Sequence, residues 1–391
     1  MKILIVSKCS THPTYAGNSR FILDQVELFK EMEHEVYFLY IKDSALNPKN
    51  RHVNNSIDLL KLYWKDHLFI YDVPFWERVK FRIIDKCRKY FNNNLLKCDD
   101  HYPSGLHKYI NKLNNIIQFD CCLINYYYLS KALQYINIPQ TGIVTHDYFA
   151  YKNILVNDKN IPTATNAHEE AKAMQRAKNI FALNSEESIY FQKLSPLSKV
   201  YTIYSIFKYK RNPITNNKNI LFLSGSNQFN INGIYWFVKT IFPIILKSFP
   251  DAKLIIGGSI CGKIKELANC QNIELQGIID DVVSFYNQGD VAINPTYQGT
   301  GLKIKTFEAI SYDKVTLVHP HSKIGIYDID NAPLFASDVA HEWVDFLNKL
   351  WSQPEYIKII KEKNEIYIQR MNSYVKNEYL NFLNSSNINC K

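Results

Sequence analysis

Residues 291–318 carry the pattern that most narrows what this chain can fold into. Val291-Ala292-Ile293-Asn294-Pro295 is a short apolar run of the kind a fully buried strand needs, and Lys314-Val315-Thr316-Leu317-Val318 is a second one. Between them a Gly299-Thr300-Gly301 turn leads into Leu302 to Ala309, where apolar residues recur at helical spacing. Strand, glycine turn, helix, strand is one unit of a parallel α/β sheet, and ligands bind at the carboxyl ends of such strands. Lys303 and Lys305 stand at the helix start, where free backbone N–H groups and the helix dipole favour an anion. A phosphate or diphosphate fits. Glu308, about one turn deeper, offers a carboxylate to two sugar hydroxyls, so the segment reads as a nucleotide-sugar site. A solvated lysine pair beside a flexible turn is the alternative, because Gly-x-Gly alone carries little weight.

The same alternation runs along the whole chain. Lys2 to Val6 is a strand, Ser7 to Asn18 a loop, Ser19 to Met32 a helix, and His34 to Tyr40 the next strand. In that loop Gly17 permits close backbone approach to a ligand, and Asn18 or Ser19 suits a helix cap, with a plain βα turn as the alternative. Thr141 to Thr145 is a strand ending at His146-Asp147. A histidine there can hold a hydroxyl, donate to an oxyanion or shuttle a proton; a buried structural role is the competing reading, and Asp147 also suits a cap. Asn179 to Asn184 precedes a helix start at Ser185 to Ser188, and Val200 to Tyr204 would be the last strand of a first domain, residues 1–206. A polar stretch, 207–218, reads as a linker. The second domain, 219–353, opens with a strand ending at Gly225-Ser226, then a helix from Asn230, strands at Lys253 to Gly258 and Ile273 to Ile279, and the 291–318 unit. Residues 354–391 carry amphipathic helices.

These segments together resemble the two-Rossmann-domain (GT-B) glycosyltransferases, in particular the bacterial glycosyl transferases group 1, or family 4, of polysaccharide assembly. The resemblance rests on Gly-x-Gly-Leu-Lys-x-Lys-x-x-Glu at 299–308, the Thr145-His146-Asp147 element and the Gly17 loop before a Glu35-Val36 strand. It implies an α/β fold of two Rossmann-like domains facing across a cleft, the first binding acceptor and the second binding donor, with a C-terminal helix crossing back to the N-domain. It implies roles in donor binding for Gly17, Asn18, Gly225, Ser226, Gly299, Thr300, Gly301, Lys303, Lys305 and Glu308. Gly277 and Ile278 would read the nucleobase through their backbone, and His146, with Asp147, would face the donor sugar and acceptor. Many relatives have a glutamate eight residues before Glu308; here Thr300 takes that position. Relatives also place Arg and Lys near the Gly225 turn, whereas no basic residue occurs here before Lys239, leaving Lys303 and Lys305 to supply the charge. The resemblance implies transfer from a nucleotide sugar to a glycan or lipid-linked saccharide, in a retaining, same-face reaction with no cofactor or metal. A sugar-nucleotide epimerase of the same architecture and a noncatalytic partner subunit are the other classes open.

Composition agrees with two domains, since 391 residues with 46% apolar content exceed one hydrophobic core. Eight cysteines, at 9, 87, 98, 121, 122, 261, 270 and 390, follow neither zinc-ligand nor disulfide-framework spacing and read as reduced thiols of a cytoplasmic protein. No signal segment and no apolar run of membrane-spanning length is expected. The net charge of +9 suits phosphorylated substrates or anionic lipid, and no nucleic-acid-binding motif accompanies it. Pro74 to Phe91 stands apart from the scaffold: Trp76, Val79, Ile83 and Cys87 fall on one helical face among Arg78, Lys80, Arg82, Lys86, Arg88 and Lys89. That mixture suits a helix lying on the anionic inner face of the cell membrane, with an ordinary domain helix as the alternative.

Overall fold

The computed structural model describes residues 1–14, 17–43, 51–91, 95–156, 164–301 and 303–385. Ala16, Leu302 and Cys390, and the side chain of Lys89, lie outside them. The chain divides into two compact units: residues 1–206 with 375–391, and residues 207–374.

In the first unit the described residues form seven parallel strands: β1 (Lys2–Ser7), β2 (Glu35–Lys42), β3 (Leu68–Asp72), β4 (Cys121–Asn125), β5 (Gln140–Val144), β6 (Asn179–Ala182) and β7 (Lys199–Thr202). Their order is β3-β2-β1-β4-β5-β6-β7. The run Ile3 to Val6 is wholly buried, as expected of a central parallel strand covered by helices on both faces. β1 pairs with β2 on one side and with β4 on the other, Val6 opposite Ile124. The chain therefore winds outward from β1 to β3 and restarts at β4 in the other direction, so the loops after β1 and β4 diverge and leave a crevice at their carboxyl ends. β3 and β4 were not among the strands expected from sequence.

The second unit repeats the design with six strands among the described residues: β8 (Asn219–Leu223), β9 (Lys253–Gly257), β10 (Ile273–Gly277), β11 (Val291–Asn294), β12 (Val315–Val318) and β13 (Leu334–Ala336). Their order, β10-β9-β8-β11-β12-β13, reverses between β8 and β11. Ile220, Phe222, Leu254, Ile256, Val291, Ile293, Val315 and Leu317 share one core with the helix pair packed against them.

Residues 207–218, expected as a linker, belong to this second unit and are bolted to it. Buried Lys361 donates to the Asn212 carbonyl at 3.1 Å and pairs with Asp290 at 3.2 Å, while Asp290 accepts from Thr215 N and Oγ1 and Asp313 accepts from Tyr209 Oη and Asn212 N. Lys361 also lies 3.9 Å from Asp313, and removing one member would leave the remaining buried charges incompletely paired, which is costly. This network sits at the amino ends of β11 and β12, away from their ligand-binding ends. Pro354–Asn384 is one continuous helix; its residues to Tyr374 belong to the second unit, and those from Val375 to the first.

One expectation is corrected. The helical stretch Gln228–Ser248 is long and apolar enough to cross a membrane, by length and composition only. Its Ile234, Phe237, Ile241, Phe242 and Ile245 are buried in the core of the second unit, which accounts for the apolar content. The helix Phe75–Tyr90 shows the reverse arrangement. Phe81 points into the core of the first unit, whereas Trp76 is 78% exposed and Phe75, Ile83, Cys87, Tyr90 and the adjoining Phe91 are also exposed, beside exposed Lys80, Arg82 and Lys86.

Candidate active site

The second unit places a cation at its strand reversal. Gly299 and Gly301 both have positive φ, 113° and 80°, and a Cβ on Gly299 would sit 2.9 Å from the Phe229 ring. Glycine is therefore required where the loop after β11 turns against the helix after β8. Asn227 caps that helix by accepting from Asn230 N at 2.9 Å. The Asn230 side chain then joins the two loops: Nδ2 donates to the Gly225 carbonyl at 2.9 Å, and Oδ1 accepts from Lys305 Nζ at 2.8 Å.

Lys305 has no carboxylate within ion-pair distance among the described residues, although it is half-buried. Burial pulls its ammonium down to about 8, Lys303 adds to the shift, and Glu308 opposes it. A desolvated cation with no carboxylate in contact favours an anion. Lys303 occupies the residue before the helix Ile304–Ser311, its Nζ 3.4 Å from the Gly301 carbonyl. Asn294 Oδ1 at the end of β11, and Thr296 Oγ1 and Thr300 Oγ1 in the loop leading to this helix, are buried without a hydrogen-bond partner among the described residues. Glu308, one turn on, lies 3.4 Å from Tyr286 Oη.

Gly225, Gly299, Thr300, Gly301, Lys303, Lys305 and Glu308 are thus grouped on the loops after β8 and β11 and the helix that follows. Ser226 N donates to Ser259 Oγ at 3.2 Å, tying it to the loop after β9. Gly277 and Ile278 stand apart, at the end of β10; Gly277 has φ 72° with open space around it, and Ile278 is 69% exposed.

The first unit builds a different edge. Tyr126, after β4, and His146, after β5, both have left-handed backbones, φ 75° and 68°, a conformation costing a non-glycine residue about 1–3 kcal/mol. Their rings stack, centroids 4.1 Å apart and planes 14° apart, and Phe21 meets His146 edge-on at 5.5 Å. His146 Nε2 lies 2.7 Å from Asn125 Oδ1, and Asn18 Nδ2 donates to Tyr126 Oη at 2.7 Å. Burial holds the imidazole down at about 3, hence neutral. Of the residues expected here, Asn18 and His146 are therefore joined through Tyr126. Gly17 is the exposed first residue of the helix Gly17–Glu31, and Asn18 lies within its first turn rather than capping it. Asp147 points elsewhere: it accepts from Tyr148 N at 3.0 Å and pairs with Lys152 at 2.6 Å.

Beneath this edge lie two buried carboxyls. Burial and the nearby Asp147 push Glu187 up to about 8, and burial is also the largest influence raising Glu170 to about 7. Glu187 meets Leu183 N, Asn184 Nδ2 and Thr145 Oγ1. Thr145 Oγ1 has one proton for two neighbours, Phe181 O and Glu187, so a neutral Glu187 donating to Thr145 satisfies every group. Asn184, not Ser185, caps the helix Ser185–Leu194.

Asn125, Tyr126 and Asn230 were not singled out from sequence. Each acts through a partner distant in the chain: Asn230 and Lys305 are 75 residues apart, and Asn18 and Tyr126 are 108 apart. Tyr126 lies in a Tyr126-Tyr127-Tyr128 run that looks like core.

Residues 217–353 match the family model of glycosyl transferases group 1. The second unit is thus a glycosyl transferase group 1 domain. The described residues form two parallel α/β sheets with order reversals, the GT-B fold, and the matched domain makes the protein a glycosyltransferase. An uncharacterized 44.6 kDa protein in the cps region of Klebsiella pneumoniae is 22% identical over 335 residues, covering 79% of this chain and 80% of that one. A TarM variant of S. aureus, solved with fondaparinux, alpha-GlcNAc-glycerol and UDP, superposes with a TM-score of 0.66 at 11% identity, covering 98% of this chain and 99% of that one. HepE of Anabaena, solved with UDP, gives a TM-score of 0.65 at 12% identity, covering 98% and 100%.

Proposed function

We propose that this protein transfers a sugar from a nucleotide-sugar donor to a glycan or lipid-linked saccharide in bacterial surface polysaccharide synthesis. The observation carrying the donor half is Lys305: a half-buried ammonium, depressed to about 8, held by Asn230 at a helix start and lacking a carboxylate in ion-pair contact among the described residues. A diphosphate supplies the missing charge. The UDP bound in the TarM and HepE structures supports a nucleoside diphosphate as that anion, and the cps-region relative supports polysaccharide synthesis. In this reading Lys303, Lys305 and the loop amides of Gly299 to Gly301 bind the diphosphate, with Gly225 and Ser226 near it, and Gly17 and Asn18 are further donor-binding residues. Glu308 accepts from ribose hydroxyls, and the Gly277 and Ile278 backbone meets the nucleobase. The charge is carried by the lysines, so no metal or other cofactor is invoked.

The reaction we propose is retaining, and because Thr300 offers no carboxylate nucleophile it proceeds on one face without a covalent sugar intermediate. The bond from the sugar's anomeric carbon to the diphosphate oxygen breaks, the acceptor oxygen bonds to that carbon, and its proton passes to the departing diphosphate. His146 positions the reacting sugar, and Asp147 stiffens the turn that carries it. The cytoplasmic protein would sit on the inner face of the membrane through the helix Phe75–Tyr90, whose outward aromatic residues alternate with basic ones.

A thermal-shift panel of UDP, GDP, ADP and CMP with their sugars tests the donor assignment, because a ligand that binds only the folded state raises its melting temperature. One nucleoside diphosphate and its sugar should stabilise the fold while the free nucleoside does not. No shift from any of them overturns the assignment. Binding without transfer across an acceptor panel would indicate a noncatalytic partner, and release of epimerised nucleotide would indicate an epimerase. Co-sedimentation with phosphatidylglycerol vesicles at low salt tests the membrane face; the protein should pellet, and should stay in solution once Lys80, Arg82 and Lys86 are replaced by Gln. Failure of the wild type to pellet rules the membrane role out.

A further inference from the structure

We propose that Asn125 is a positioning residue whose amide fixes His146 in the Nε2–H form, leaving Nδ1 as a neutral hydrogen-bond acceptor for a substrate hydroxyl. The proposal rests on the reading above that this edge of the first unit meets a sugar.

The argument starts at the amide. Asn125 Nδ2 donates to the Val6 carbonyl at 3.1 Å, and a carbonyl can only accept, so the amide is oriented with its oxygen toward His146. That oxygen can also only accept. At 2.7 Å from it, Nε2 must therefore carry the proton. The ring has little freedom to turn over, because Tyr126 covers one face at 4.1 Å and Phe21 meets it edge-on. Tyr126 is pinned in turn by Asn18. Two left-handed non-glycine residues at adjacent strand ends, His146 and Tyr126, hold the pair together, the kind of local strain that persists where surrounding structure over-determines a site.

Among the described residues no charge faces the ring. The helix Gly17–Glu31 contributes Asn18 and Phe21, and β4 leads to Asn125 and Tyr126. Asp147, next in the chain, turns to Lys152 and Tyr148 N. The titratable neighbours are Tyr126 and, beside it, Cys9; burial raises both, keeping them protonated and neutral. The imidazole is itself kept neutral by burial. Among the described residues no group donates to Nδ1, and the ring is half-buried. His146 is thus set to accept from a hydroxyl. It is not set to deliver a proton.

The test uses the full-length protein with ¹⁵N-labelled histidine. In the wild type, His146 should show its proton on Nε2 and should not titrate between about pH 5 and 9, well away from the ordinary value near 6.5. A proton on Nδ1 overturns the proposal. Asn125→Leu removes the acceptor and should give a mixture of tautomers, with turnover lowered about tenfold and nucleotide affinity unchanged; retention of the Nε2–H form with full turnover overturns the role of Asn125. Asn125→Asp keeps an acceptor but adds a charge that raises the ring's pKa toward neutrality. Protonating Nδ1 should then abolish transfer at low pH and restore it as pH rises through the new value. Faster transfer at low pH would show that His146 donates, and would overturn the proposal. The tautomer measurement needs no substrate, so it decides the ring chemistry even if the nucleotide panel removes the glycosyltransferase reading.

Discussion

The two units place chemically opposite groups at the carboxyl ends of strands on the same side of their order reversals. After β5 of the first unit, one strand past the reversal, stands a neutral, stacked imidazole held down at about 3 and bonded to an amide oxygen. At the strand reversal of the second unit stands an ammonium held by an amide oxygen, with no carboxylate within ion-pair distance among the described residues. An asparagine orients the key side chain in both, but the second unit surrounds it with positive-φ glycines and the first with aromatic rings. One fold, used twice, thus yields a site for hydroxyls and a site for an anion. Function follows from the residues grafted onto the strand ends rather than from the sheet.

The largest expected effect that would break this contrast is on turnover. His146→Ala should slow transfer about 10²-fold or more, the scale of a positioned polar group in a transition state, while nucleotide affinity stays within a few fold. A matching loss of nucleotide affinity would mean that the two edges do not divide the work this way. Next comes pH. Because Lys305 is depressed to about 8, nucleoside diphosphate affinity in titration calorimetry should fall as pH climbs above that value, and Lys305→Arg, which stays charged, should remove the decline. A decline persisting in the Arg variant assigns it to another group. The smallest effect concerns the carboxyls under the first edge. Glu187 has a folded pKa of about 8, well above the unfolded value, so the folded state holds a proton that the unfolded state has lost between about pH 4.3 and 8. Stability should therefore decrease as pH rises through that window, and Glu187→Gln should flatten the dependence by a few degrees of melting temperature. An unflattened curve would mean that Glu187 is ionised in the fold.

The strand–glycine–helix–strand unit at 291–318 was legible because an apolar run, a glycine turn and a helical period are local signals. Lys305 was legible for the same reason, since its place at a helix start is local. What holds it was not: Asn230 lies on another loop and looks like one of many asparagines in this chain. β4 was missed because Cys121-Cys122-Leu123-Ile124-Asn125 runs straight into three tyrosines, with no turn residue to mark its end. The turn exists all the same, made by a tyrosine at φ 75°. Asp147 was grouped with His146 by adjacency alone, and the chain turns its carboxylate toward Lys152. The stripe of Trp76 and Ile83, found by periodicity, is the outward face of its helix, whereas the Gln228–Ser248 stretch passed unremarked because Lys239 and Lys247 interrupt it in sequence.

The central claim is that the unpaired charge of Lys305 is the diphosphate anchor, and calorimetric titration of UDP into wild type and Lys305→Ala tests it most directly. If UDP is the nucleotide selected in the thermal-shift panel, its charge-assisted contact to this lysine accounts for about 1.5–3 kcal/mol. The alanine variant should then bind UDP at least tenfold more weakly, with an unliganded melting temperature equal to or above that of the wild type, since a desolvated, unpaired ammonium has been removed. Equal UDP affinity in the two proteins would contradict the account.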